Sequence, residues 1–284
     1  MIARPRSALA AVAIFSAVSL PAVARAQSWR TVELARQLRD SAEHQVHVRY
    51  GRGRFTLLAT DAPLLYDARI RYDESRATPR SEYDAAEREV EISVAHDDDA
   101  SGGRQAPGDM RLALSPHAPI HLELELGAVE SEIDLGGLSI SELSVDASAS
   151  EALVTFDEPN RTAMRVLDLH ARAASVTATR LANANAAEMR IGAGVGNVEL
   201  DFGGRWTTDV EASIDVAMGR VHIRVPEAIG VRVEVSRVLA SFEHPGFEKQ
   251  GDAWVSANWD DAEHHLTLHI DTAFGTVQIE RGGD

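Results

Sequence analysis

The chain has 284 residues, no cysteine, one lysine (Lys249) and a formal charge of −16. Without cysteine it cannot build a disulfide framework, a thiolate nucleophile or a sulfur-ligated zinc site. An acidic surface repels phosphate, so nucleic acid and anionic membrane are poor partners.

Residues 1–26 read as a targeting leader. Arg4 and Arg6 form a basic start, residues 8–20 are an apolar run, and Ala24-Arg25-Ala26 follows Pro21 as a small-x-small cleavage site. The run is short for a bilayer span. The expectation is export, cleavage near Ala26, and a periplasmic or secreted mature chain without a membrane span. Three arginines leave with the leader, taking the formal charge to −19.

Residues 32–42 place Val32, Ala35, Leu38 and Ala42 at a spacing that allows a short helix, close to the lower limit of length for stability. Strand alternation then takes over in HVRY (47–50), FTLLA (55–59), ARIRY (68–72) and VEISV (90–94). Residues 95–109, AHDDDASGGRQAPGD, read as a flexible connection. A second β-rich region begins at Leu112. The expected organisation is a signal peptide over 1–26, a β-rich N-terminal region over 27–108 and a repeat domain over 109–284.

The second region repeats. GAVESEIDLGG (127–137) aligns without a gap on GVGNVELDFGG (194–204), and both end in apolar-Asp-apolar-Gly-Gly. Weaker copies begin at Ser150, Ala174, Gly219, Ala240 and Gly275. Counting from Val129, successive starts lie 21, 24, 22, 23, 21 and 35 residues apart, a period near 22 with one insertion. Each copy opens on a small residue, where a chain turns or another backbone passes closely. It then alternates, as in Val198, Leu200 and Phe202 against Glu199 and Asp201. One such strand cannot shield its apolar face; copies stacked about 4.8 Å apart can.

The glycines of 192–204, GAGVGNVELDFGG, are therefore corners rather than a phosphate cradle. A dinucleotide fingerprint has glycines after a strand and a helix behind them. Here the glycines precede a strand and no helical pattern follows. A Walker-type loop needs a lysine that this region lacks.

GAVESEIDLGGLSISELSVDASAS, GAGVGNVELDFGG and GRVHIRVPEAIGVRV together resemble the bacterial toast-rack and adhesin-type β-helix domains, and are similar to the C-terminal domain of LiaF-like envelope-stress proteins. The likeness covers roughly residues 110–284, with residues 44–60, which contain YGRGRFTLLA, as an N-terminal coil of the same kind. It implies stacked short strands, brings no catalytic residues with it, and makes envelope-stress sensing a variant by analogy. Ser150 and Ala174 depart from the pattern, which has glycine there.

The sequence carries few motifs of catalytic or metal chemistry. The motifs G-x-S-x-G and H-E-x-x-H are absent. Asp97, Asp99, Ser101 and Gly102 fit the first positions of a calcium loop, but Gly108 stands where a bidentate Glu is needed and Pro107 precedes it. In HHLTLHI (264–270), His265, Thr267 and His269 share one strand face; His265 and His269 are about 13 Å apart along the strand and cannot share one metal. The acids Glu123, Glu125, Glu130, Glu132, Asp134, Glu199 and Asp201 alternate with core positions as a solvated face does. A glycosidase would need two of them converging, one with its pKa raised by burial. Trp206, just past a Gly-Gly corner, is placed to cap the apolar column. Asn160-Arg161-Thr162 is a glycosylation sequon.

The fold expected is all-β: a single-stranded β-helix, or solenoid, of short stacked strands with a smaller β-rich N-terminal region. The function expected is that of an exported, non-catalytic envelope protein, structural, adhesin-like or protein-interacting. The alternative is a carbohydrate-active β-helix enzyme of lyase or glycosidase type. No catalytic, cofactor-binding or metal residue is assigned, no cofactor is expected, and the partner is an envelope protein or polymer. An uncapped end of such a stack would expose strand edges and favour self-assembly.

Overall fold

The computed structural model describes residues 28–96, 108–149, 151–173 and 175–282, and these form an all-β structure. The chain runs through β1 (Trp29–Gln37), β2 (His44–Ala59), β3 (Leu64–Asp73), β4 (Ala77–Asp84), β5 (Glu89–His96) and β6 (Gly108–Leu114). It continues through β7 (Ile120–Asp134), β8 (Ile140–Ala147), β9 (Glu151–Thr155), β10 (Leu167–Ala173), β11 (Ser175–Thr179), β12 (Glu188–Asp201) and β13 (Val210–Pro226). It ends with β14 (Gly230–Glu243), β15 (Phe247–Gln250), β16 (Ala253–Ser256) and β17 (His265–Gly282). The helix allowed over 32–42 does not form. Residues 29–37 are a strand pairing antiparallel with β3, Val32 opposite Ile70 and Leu34 opposite Ala68. A sheet partner satisfies the backbone of so short a segment better than an isolated helix would.

The repeat copies stack in parallel and in register. One apolar row passes from Val46 through Leu122, Leu143, Leu167, Met189, Ala212 and Leu268 to Val233. A second passes from Phe55 through Ser131, Ala152, Val176, Val198, Val221 and Val277 to Phe242. Members of both rows are buried, Phe242 partly. Each tier thus has two straight segments joined by a bend, and the alternation in each segment sends one set of side chains inward. Burying a Val or Leu completely stabilises by about 1.5–3 kcal/mol, so the rows supply the driving force that disulfides would otherwise supplement.

Spatial order departs from chain order at both ends. β17 lies between β13 and β14, pairing in parallel with both. The 35-residue gap before Gly275 is therefore not an insertion in a linear stack. The tier of β14 is outermost, the β15–β16 hairpin follows it, and the chain then returns to enter one tier further in. At the other end β2 pairs with β7 on one side and with β5 and β6 on the other. Antiparallel strands close this end: β4 on β5, β3 on β6, and β1 on β3.

The Gly-Gly motif of the repeats forms turns beyond the second segment. Asp134 Oδ1 accepts the Gly136 N–H at 2.9 Å, and Asp201 Oδ1 accepts the Gly203 N–H at 2.9 Å. The glycine that follows takes a positive φ, 70° at Gly137 and 107° at Gly204. These aspartates are turn formers as well as outward-facing acids.

Candidate interaction surface

The bend within each tier creates the most unusual surface feature. Gly196, Gly219 and Gly275 lie in register, followed by Ala240 in the outermost tier. Gly219 and Gly275 have φ of 152° and 138°, and a Cβ on either would overlap the glycine carbonyl of the neighbouring tier. The chain can turn there only without a side chain. One position earlier the side chains point outward, and the register lines up Ala173, Val195, Met218, Phe274 and Leu239. Val195 is 55% exposed, Met218 49%, Phe274 44% and Leu239 70%, with Val238 beside it at 75%. At about 4.8 Å per tier the row from Ala173 to Leu239 makes an apolar ridge about 19 Å long, its last four positions carrying the large side chains. On β2 and β7 the ridge position is held by Arg52 and Ala128, so the large apolar side chains belong to the C-terminal half.

The outer face of the first segments is polar, with Arg and His side chains set among acids. Arg49 lies 2.6 Å from Glu91 and 3.4 Å from Glu125. His47 Nδ1 lies 2.9 Å from Glu123, His121 Nε2 3.2 Å from the same carboxylate, and His269 3.4 Å from both Glu211 and Glu234. Arg49 offsets the repulsion between the carboxylates of its row, and the imidazoles stand between the others as polar neighbours. Asp168 is the exception that burial dominates: desolvation pushes its carboxyl up, opposed by His170 and Arg190. His170 Nε2 is 2.8 Å from Asp168 Oδ1, yet that oxygen lacks a partner with hydrogen-bond geometry.

Residues matched by the family model for the N-terminal domain of toast_rack, DUF2154, run from 25 to 168. The chain belongs to the toast-rack family. Among solved structures, this toast-rack chain is similar to a candidate cell adhesion protein from Clostridium sporogenes, with 14% identity, a TM-score of 0.47, and coverage of 90% of this chain and 100% of that one. It is also similar to a candidate adhesin from Bacteroides fragilis, with 11% identity, a TM-score of 0.40, and coverage of 90% and 98%. A candidate adhesin from Parabacteroides distasonis shows 11% identity, a TM-score of 0.35, and coverage of 89% and 98%. No curated protein sequence matches the chain.

His265 and His269 do share an outward face, between buried Leu266, Leu268 and Ile270, but they serve different neighbours. His265 Nε2 is 2.9 Å from the Trp259 carbonyl, and the His265 N–H donates to Asp209 at 2.9 Å. His264 stacks near Trp206, ring centroids 6.5 Å apart. Among the described residues no group of three or more His, Asp and Glu could hold a metal ion. Asp97, Asp99, Ser101 and Gly102 lie outside the described residues. Trp206 packs against the core and donates to the Phe202 carbonyl at 3.1 Å.

The acids of β4 and β5 do gather. Glu82 stands opposite Glu91 and Asp84 opposite Glu89, with Tyr83 and Ala85 completing a shallow depression. Glu82 and Asp84 are exposed and Glu91 is taken by Arg49. A glycosidase needs one carboxyl held protonated by burial, and an open acidic rim does not provide that.

The sequon lies inside the fold. Asn160 is buried, and its side-chain amide donates to the carbonyls of Ile140 and Thr162 at 2.8 Å and of Ala184 at 3.2 Å. Its Oδ1 accepts the Ile140 N–H at 2.8 Å. Asn183 repeats the arrangement about one tier on, donating to Phe156 and accepting from Arg205. The signal in the sequence was the spacing of Asn160 and Asn183, one repeat period.

Proposed function

We propose that the chain is exported, loses its leader near Ala26, and acts outside the cytoplasm as a non-catalytic β-solenoid that presents an interaction surface to an envelope protein or polymer. The apolar ridge through Val195, Met218 and Phe274 carries this reading. Soluble proteins seldom keep large apolar side chains aligned in water without a partner. The parallel register holds them in fixed geometry, and no chemistry is needed for them to act. The interleaved charges on the outer face support a surface that is wetted rather than reactive. A role in envelope-stress response is a variant that rests on the resemblance to LiaF-like domains. No helix among the described residues is long and apolar enough to cross a membrane.

The test is in cells. Fractionation with N-terminal sequencing should find the chain outside the cytoplasm, starting at Gln27. A photo-crosslinking residue at Met218 should give an adduct with an envelope component that the same residue at Glu199 does not. A cytoplasmic chain with its leader intact, or equal adducts from both positions, would refute the proposal.

A further inference from the structure

The two ends of the stack are treated differently. At the N-terminal end the last strands carry charge or proline: Arg30, Glu33 and Arg36 on β1, and Pro79, Arg80, Glu82 and Asp84 on β4. Such residues keep a sheet edge from pairing with another chain. At the other end β16 pairs with β14 only at Arg232 and Val233, and its Trp254 ring stands edge-on to Phe242 with centroids 6.0 Å apart. Among the described residues no strand pairs with Ser236–Glu243 on the side away from β17. This edge carries Val238 and Leu239, the most exposed large apolar side chains among the described residues. The Arg237 guanidinium donates to the Ala240 carbonyl at 3.4 Å, so this oxygen faces away from β17.

We infer that this edge pairs with the same edge of a second copy, antiparallel, about a twofold axis at Ala240. The segment Arg237-Val238-Leu239-Ala240-Ser241-Phe242-Glu243 complements itself in that register. Arg237 faces Glu243 of the second copy, Val238 faces Phe242, Leu239 faces Ser241, and Ala240 faces its own equivalent. The two charged residues on the segment are opposite in sign and equidistant from the axis, so both meet a partner. An isologous contact of this kind closes at two copies and does not propagate into a fibre. The small residue at the axis lets the backbones approach. The inference is independent of export and of any envelope partner.

Sedimentation of the purified protein over a concentration series should show a monomer–dimer equilibrium. Arg237→Glu or Glu243→Arg, both at exposed positions, should each weaken the dimer at least about tenfold by setting like charges opposite one another. The double variant R237E/E243R should restore it. Because the chain has no cysteine, Ala240→Cys gives a single thiol, and oxidation should trap a dimer that Val195→Cys does not. A concentration-independent monomer would overturn the inference, as would association unmoved by both reversals or equal trapping at both cysteines. A monomer whose 238–242 amides resist hydrogen exchange would place a segment of the chain itself on the edge, and would overturn it too.

Discussion

A Cβ added to Gly219 would overlap the carbonyl oxygen of Gly196 in the adjoining tier. The same tier-to-tier approach recurs between Gly275 and Gly219. Gly219→Val should therefore destabilise the protein by about 1–3 kcal/mol from backbone strain alone, with displacement of the neighbouring tier adding to it. Chemical denaturation with an unchanged midpoint would show that the bend does not depend on glycine.

Asn160 binds one turn to the tiers on either side. Asn160→Ala leaves buried carbonyls and an N–H without partners, and should cost about 2–4 kcal/mol. Asn160→Asp should cost more, since a carboxylate would face three carbonyls. Expressed in a host that glycosylates sequons, the folded chain should carry no sugar there; a mass increase at Asn160 in folded protein would contradict its burial.

Tyr50 points its hydroxyl into the notch left by Gly53 and Gly108, and that hydroxyl has no hydrogen-bond partner. Burial, with Asp109 adding to it, raises the phenol far above its ordinary range. The folded state then holds this proton where the unfolded chain releases it, so stability falls as pH rises beyond about 10. Tyr50→Phe should be neutral or slightly stabilising at pH 7, and clearly stabilising above about pH 10. Melting curves of the two proteins that stay parallel across that range would refute the assignment.

Chelation should leave the melting temperature unchanged: His264 and His265 share one carboxylate, Asp209, and are held by Trp206 and Trp259, while His269 lies apart between Glu211 and Glu234. A clear drop on adding EDTA would reveal a metal that this arrangement does not anticipate.

Much of the local design was legible in the residues. Alternation in Val198-Glu199-Leu200-Asp201-Phe202 identifies the inward face, and the period of Val129, Ser150, Gly196 and Gly219 identifies the tiers, because a strand returning at fixed length must meet its predecessor in register. The ridge was not legible. Val195, Met218, Phe274 and Leu239 are ordinary apolar residues until the bends bring them into line. The same holds for Asn160, whose sequon pattern says nothing of the carbonyls that surround it.

Composition, alternation and repeat length alone determined that this chain would be a disulfide-free all-β protein whose acids lie in water, since these follow from side-chain direction and the burial of apolar surface. Tertiary structure alone decided which tier is last. The order of Gly219, Gly275 and Ala240 in space follows from β17 pairing with β13 on one side and with β14 on the other. Repeats of similar sequence offer nearly equivalent partners. The choice among them rests on the sum of contacts along whole strands, and that sum leaves the edge at Ala240 bare.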